Sequence, residues 1–146
     1  MKITYKGDYG LKTILSLSLN YGQGYLTIHQ IAQRLDIPVK FLEQILLDLK
    51  RGGFVQSRRG RVGGYILARP PAKIRLGEVI RFIEGPLSPI ACVDAHYKGC
   101  RDVGDCVFKD IWKQVAKATE KIIDSLSFEA LAKKTKAPRT GLVYQI

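Results

Sequence analysis

Three side chains able to bind a metal or react with an oxidant stand close together in the sequence. Cys92, Cys100 and Cys106 are the only cysteines among 146 residues, spaced C-x7-C-x5-C. Between them lie glycines, aspartates and His96, with no apolar periodicity. Three thiolates on a glycine-bearing loop can wrap an iron–sulfur cluster, of the two-iron two-sulfur or four-iron four-sulfur type, whose usual complement is four protein ligands. A fourth donor must then come from elsewhere, and Asp8, His96, Asp102, Asp105 and Lys109 are the candidates. An oxygen or nitrogen donor is bound less tightly to iron than a thiolate, which leaves such a site chemically exposed and suited to sensing. A lysine is a poor ligand while it carries its proton, so Lys109 reads better as a solvated helix residue.

Two other chemistries use the same residues. Three Cys with His96 make a tetrahedral zinc set, although the short C-x2-C pairs usual for structural zinc are absent. Metal-free thiols can also act as a redox switch. No nucleotide-binding glycine pattern and no nucleophile–base pair accompanies the cysteines, which argues against an enzyme or a small redox carrier. An odd number of clustered cysteines points to metal or redox chemistry in a reducing compartment rather than to a structural disulfide. The cytoplasm is the expected location, because the start of the chain lacks the apolar core of a secretion signal. No run of eighteen apolar residues occurs, so no membrane span is expected.

The partner of such a sensor is legible in the charge. The net charge of +11 is uneven: residues 1–75 carry thirteen basic and four acidic side chains, residues 76–146 eleven and nine. From Leu49 to Gly77 there are eight basic residues and no acidic one. Phosphate neutralisation with counterion release dominates nucleic-acid affinity, so the first half is expected to meet a polyanion.

The elements that would position these groups follow from periodicity and stop signals. Residues 5–21 read as a helix ending at Gly22-Gln23-Gly24, with Asp8 at its positive end. Thr27-Ile28-His29-Gln30 is a capping-box pattern opening a short helix with Ile28, Ile31, Ala32 and Leu35 on its apolar face. His29 is an exposed helix-start residue with no ligand role. Asp36-Ile37-Pro38 breaks the helix, and a second runs from Val39 to Arg51 with Leu42, Ile45, Leu46 and Leu49 inward. Lys40, Glu43, Gln44, Asp48 and Lys50 face outward, making a helix-turn-helix.

Strand-like runs Phe54–Ser57 and Tyr65–Ala68 flank a loop with Arg58, Arg59 and Arg61, which is the pattern of a wing. Glu43 and Gln44 suit base edges, a carboxylate for cytosine and an amide for adenine. Arg59 and Arg61 suit phosphate or the minor groove, with Lys40 and Arg58 in support. An RNA-binding winged module is the competing use of this half. Leu76–Glu84 forms a short helix stopped by Gly85-Pro86.

After Cys106, Phe108, Ile111, Trp112, Val115, Ala118, Ile122 and Leu126 recur at helical steps. Because the preceding unit is about complete by residue 84, this stripe is expected to pack on a second copy. Ser127 caps a last short turn around Phe128 and Leu131.

The opening Met1-Lys2-Ile3-Thr4-Tyr5-Lys6-Gly7, the helix Phe41-Leu42-Glu43-Gln44-Ile45-Leu46, the wing from Ser57-Arg58-Arg59-Gly60 to Gly63-Gly64-Tyr65, and Leu76-Gly77-Glu78-Val79-Ile80 together resemble the bacterial Rrf-two (Rrf2) family of transcriptional regulators. The likeness covers roughly residues 1–131. It implies a homodimeric winged-helix repressor or activator of promoter DNA. In members with three clustered cysteines it implies a redox-sensitive iron–sulfur cluster, here on Cys92, Cys100 and Cys106. Asp8 matches the position from which nitric-oxide-sensing members supply a carboxylate across the dimer, with His96 as the alternative inside the loop. Three departures stand out: the first cysteine gap is seven residues instead of five, Lys109 aligns with the ligand histidine of the cluster-assembly branch, and the wing has Arg61-Val62 where proline and glycine are common.

The expected architecture is mainly α with a small β-wing. A winged helix-turn-helix DNA-binding domain spans residues 1–84 and a cysteine-bearing cluster loop 85–106. A dimerisation helix and cap span 107–131, followed by a mobile tail over 132–146.

Overall fold

The structure, a computed structural model, describes residues 1–101 and 104–136. Among the described residues the chain forms six helices and one hairpin: α1 (Tyr5–Leu19), α2 (Ile28–Leu35), α3 (Val39–Arg51), β1 (Val55–Arg58), β2 (Gly64–Leu67), α4 (Leu76–Glu84), α5 (Val107–Ser125) and α6 (Phe128–Lys136). Short 3-10 turns at Pro71–Lys73 and Ala91–Val93 complete it. Among the described residues no helix is long and apolar enough to cross a membrane.

The helix-turn-helix forms where its signals stand. The Thr27 hydroxyl accepts from the Gln30 N–H at 3.2 Å, and the Gln30 side-chain oxygen accepts from the Thr27 N–H at 2.9 Å, a reciprocal cap. Asp36 adopts the left-handed conformation at φ 53°, which turns the chain sharply and drives Ile37 into the core. Leu42, Ile45, Leu46 and Leu49 of α3 are all buried, so the opposite face is left to solvent. The first helix ends two residues sooner than its periodicity predicts. Asn20 turns its amide to the Gly24 carbonyl at 2.9 Å, and Tyr21 falls outside the helix and on the surface.

The hairpin pairs Val55 with Leu67 through Arg58 with Gly64, antiparallel. Leu26 adds a bridge to Tyr65, exchanging hydrogen bonds of 3.0 and 2.7 Å, so the wing is bound to the start of α2. Gly64 makes this approach feasible. Its φ is 142°, and a Cβ there would lie 2.3 Å from the Leu26 carbonyl oxygen.

The core runs through α1, α2, α3, the hairpin and α4, and includes Ile14, Leu17, Ile31, Leu46, Phe54 and Val79. Phe128 of α6, 1% exposed, belongs to the same core. The first 84 residues therefore do not close their core alone. The Phe128 N–H donates to the Ile74 carbonyl (3.0 Å) and the Leu76 N–H to the Leu126 carbonyl (2.9 Å), so the end of the chain is laced to the segment before α4. The short turn expected around Phe128 and Leu131 is a nine-residue helix. Residues 132–136, expected in a tail, continue it because Ala132 is buried. Residues 137–146 of that expected tail lie outside the described residues.

At the other end of α1, the Thr4 N–H and hydroxyl both donate to Glu84 Oε1, at 2.8 and 2.7 Å. Gly7 allows this contact, since a Cβ on it would overlap the Glu84 carboxylate. Helix α5 packs on α4 and on the turn at Ala91–Val93, burying Ala116 and Ile123. Its stripe of Val107, Phe108, Ile111, Trp112, Val115 and Ile122 is left on the surface.

Candidate nucleic-acid interface and cysteine loop

Lys40, Glu43 and Gln44 lie on the exposed face of α3, opposite its buried leucines and isoleucines. Gln44 is held in place. Its amide Nε2 donates to Asp48 Oδ1 one turn on, at 3.2 Å. Asp48 in turn receives Lys6 of α1 at 2.7 Å, with Arg51 at 3.7 Å. The hydrogen bond from Lys6 holds the Asp48 carboxyl below its ordinary value, opposed by partial burial and reinforced by the charges of Lys6 and Arg51 and by Gln44.

The wing presents Arg58, Arg59 and Arg61, all exposed, at and beyond the end of β1. Arg58 stacks over the Tyr25 ring, 5.9 Å from its centroid, which fixes a cation beside the hairpin. Lys50 of α3 donates to the Ser57 hydroxyl at 2.7 Å, tying the reader helix to the wing. Arg69 covers Phe54 (5.3 Å) and pairs with Glu78, joining the base of the wing to α4. Lys40, Glu43, Gln44, Arg58, Arg59 and Arg61 thus sit on one helix face and one hairpin, which Lys50 links. The Lys6–Asp48–Gln44 chain and the Tyr25 contact were not read from the sequence. The four-residue step from Gln44 to Asp48 was the available signal for the first.

The cysteine loop leaves α4 at Gly85 and returns at α5. Cys92 is half-buried in the turn that packs on α5, Cys106 is half-buried as the residue before α5, and Cys100 is exposed. All three are free thiols. Among the described residues no group of three or more His, Cys, Asp or Glu is brought together as a metal site. Each fourth-donor candidate has its own setting. Asp8 pairs with Lys12 at 2.6 Å on α1. The His96 N–H donates to Asp94 Oδ1 at 2.8 Å and its side chain is exposed. Asp105 is exposed, and Lys109 lies in the first turn of α5 with its N–H on the Cys106 carbonyl at 3.2 Å. Asp102 lies outside the described residues. In donor chemistry the loop fits an iron–sulfur cluster: three thiols, none consumed in a disulfide, on a stretch whose described residues from Cys92 to Cys106 are half-buried or exposed.

Comparison with known proteins agrees with the winged-helix arrangement. Residues 3–134 match the family model for Rrf2, described as an iron-dependent transcriptional regulator. The chain is 32% identical to the HTH-type transcriptional regulator CymR of Bacillus subtilis (strain 168) over 146 residues, the full length of both. The solved structure of CymR, the global cysteine regulator of B. subtilis, superposes with a TM-score of 0.78 at 33% identity, covering 93% of this chain and 99% of that one. The structure of T. potens IscR superposes at 0.76 and 31% identity, covering 99% and 95%. The relatives are named as regulators of transcription, not as enzymes. A mostly helical chain with a two-stranded wing, matched by family and by structure over nearly its whole length, belongs to the Rrf2 family of transcriptional regulators.

Proposed function

We infer that the protein is a homodimeric regulator of transcription whose grip on double-stranded promoter DNA is set by a redox-sensitive iron–sulfur cluster. The observation that carries this is the placement of three free thiols, Cys92, Cys100 and Cys106, on the segment linking the DNA-reading unit to α5. Residues 1–84 are the reader, with α6 returning to its core, 85–106 the sensor loop, and 107–131 the dimerisation segment. The three cysteines would hold the cluster, and Asp8 of the partner subunit would supply the fourth ligand, with His96 as the alternative. A bound cluster supplies one-electron redox chemistry and reactivity toward small oxidants. The protein's own part is to convert loop geometry into reader geometry. The Cys92 turn packs on α5, α5 is forked to α4 by Arg81 and Asp124, and α4 meets α1 through Glu84 and Thr4. A shift at the loop therefore reaches the helices around α3 through direct contacts.

Glu43 and Gln44 would read base edges while Arg59 and Arg61 engage the backbone or minor groove, with Lys40 and Arg58 assisting. The exposed apolar stripe of α5 supports a second copy as its cover, because one chain leaves six large apolar side chains of that helix in water. Isolation under strict anaerobiosis tests the sensor: a coloured protein carrying iron and sulfide, and losing both in Cys106→Ser, is the expected result. A colourless protein holding one zinc, or none, contradicts it. The metal-free outcome with oxidation-sensitive DNA binding would instead establish a thiol switch, which the exposure of the free Cys100 favours as the second reading.

A further inference from the structure

We propose that Asp48 is a positioning residue that fixes which end of the Gln44 amide meets DNA, and so makes Gln44 select adenine or cytosine over guanine. The proposal rests on α3 being the element that meets base edges. An ionised carboxylate has acceptors only, so the Gln44 group facing Asp48 must be its NH2, and the 3.2 Å contact is an N–H donated to Oδ1. The carbonyl Oε1 is thereby turned away from Asp48. Rotating the amide by half a turn would set that oxygen against the carboxylate, an arrangement of two acceptors with no proton between them. Lys6 bonds the other carboxylate oxygen, Oδ2, at 2.7 Å, so both oxygens are engaged, and the Asp48 side chain is only 19% exposed. The anchor is itself anchored to α1.

The consequence is a one-sided reader. An outward carbonyl accepts from the N6 amino group of adenine or the N4 amino group of cytosine, and the remaining N–H can complete the fork to adenine N7. Guanine presents two acceptors, O6 and N7, along the same edge. The outward Gln44 carbonyl would face O6, two acceptors with no proton between them, and only a flip that gives up the Asp48 bond would turn the NH2 to that oxygen. A free glutamine has no such restriction, and the residue type alone does not reveal it.

Selection of binding sites from a random duplex library, followed by competition with single-base variants, tests this directly. The base position at which Gln44→Ala alters preference marks the pair that Gln44 reads. At that position the unaltered protein is expected to favour adenine or cytosine over guanine. Asp48→Ala should lower that discrimination by about fivefold or more, leaving preferences elsewhere in the site unchanged. Asp48→Asn, which keeps the shape but offers Gln44 a donor as well as an acceptor, should admit guanine at the same position. Retention of the full preference in both Asp48 variants, or a preference for guanine in the unaltered protein, overturns the proposal while leaving the DNA reader intact. Absence of any selected duplex with the unaltered protein overturns the reader itself.

Discussion

Arg81 grips both carboxylate oxygens of Asp124, at 2.7 and 2.8 Å, and this fork joins α4 to the long helix α5. Glu120 stands 4.0 Å from the same guanidinium. The hydrogen bond from Arg81 is the main reason the Asp124 carboxyl lies below its ordinary value; the Coulombic pull of Arg81 adds to it and partial burial opposes it. Both side chains are more than a third exposed, so water screens the pair.

Asp124→Asn should therefore destabilise the fold by about 0.5–1 kcal/mol, the upper range for an exposed pair with bidentate geometry. The pH dependence has a definite sign. A carboxyl depressed by folding contributes fully above its unfolded pKa, near 3.9, and loses that contribution as pH falls through the lower folded value. Urea melts should show the variant and the unaltered protein converging below about pH 4. An equal gap at pH 3 and pH 7 would contradict this assignment.

Phe128 is the anchor by which the end of the chain completes the core of its beginning. Phe128→Ala should cost about 3–5 kcal/mol, and the loss should appear in the unfolding of the whole winged unit rather than as fraying of α6. A far-ultraviolet circular dichroism melt alongside tryptophan fluorescence of Trp112 checks whether one transition carries both signals.

This completion of the core was hidden in the sequence for a physical reason. Periodicity gives the inward face of an element but not the element it meets, and Phe128 is separated from Ile74 by the entire cysteine loop and α5. The helix-turn-helix was legible because its signals are local: the Thr27–Gln30 box, the turn at Asp36 to Pro38 and the four inward residues of α3 lie within 23 residues. The cysteines and wing arginines were legible as types. Their environments were not, because Tyr25 beneath Arg58 and Lys6 beside Asp48 are contacts made only by folding.

Arg59 and Arg61 are exposed on the loop between β1 and β2. Changing either to Ala should weaken DNA binding across all sequences and reduce the salt slope of log K by about one, with little change in thermal stability. Fluorescence anisotropy over a range of salt concentrations reads both. Unchanged slopes would remove the wing from the interface.

The α5 stripe gives a sharper test of assembly. Phe108, Ile111 and Ile122 are 60%, 50% and 63% exposed in the single chain. Burial of an isoleucine is worth about 1.5–3 kcal/mol, and a two-fold dimer buries each position twice. Ile111→Asp should convert a dimer to a monomer at micromolar concentration in sedimentation velocity, and Lys117→Asp on an exposed face without this stripe should not. A variant that stays dimeric places the interface elsewhere.

The measurement that bears most directly on the whole account is the affinity for one natural promoter fragment of the anaerobically isolated protein, before and after oxidative loss of the cluster. Coupling between the loop at Cys92, Cys100 and Cys106 and the reader predicts a change of about 5-fold to 150-fold, abolished in Cys106→Ser. Equal affinity in both states, with a cluster present in one and absent in the other, would contradict the claim that this loop controls DNA binding.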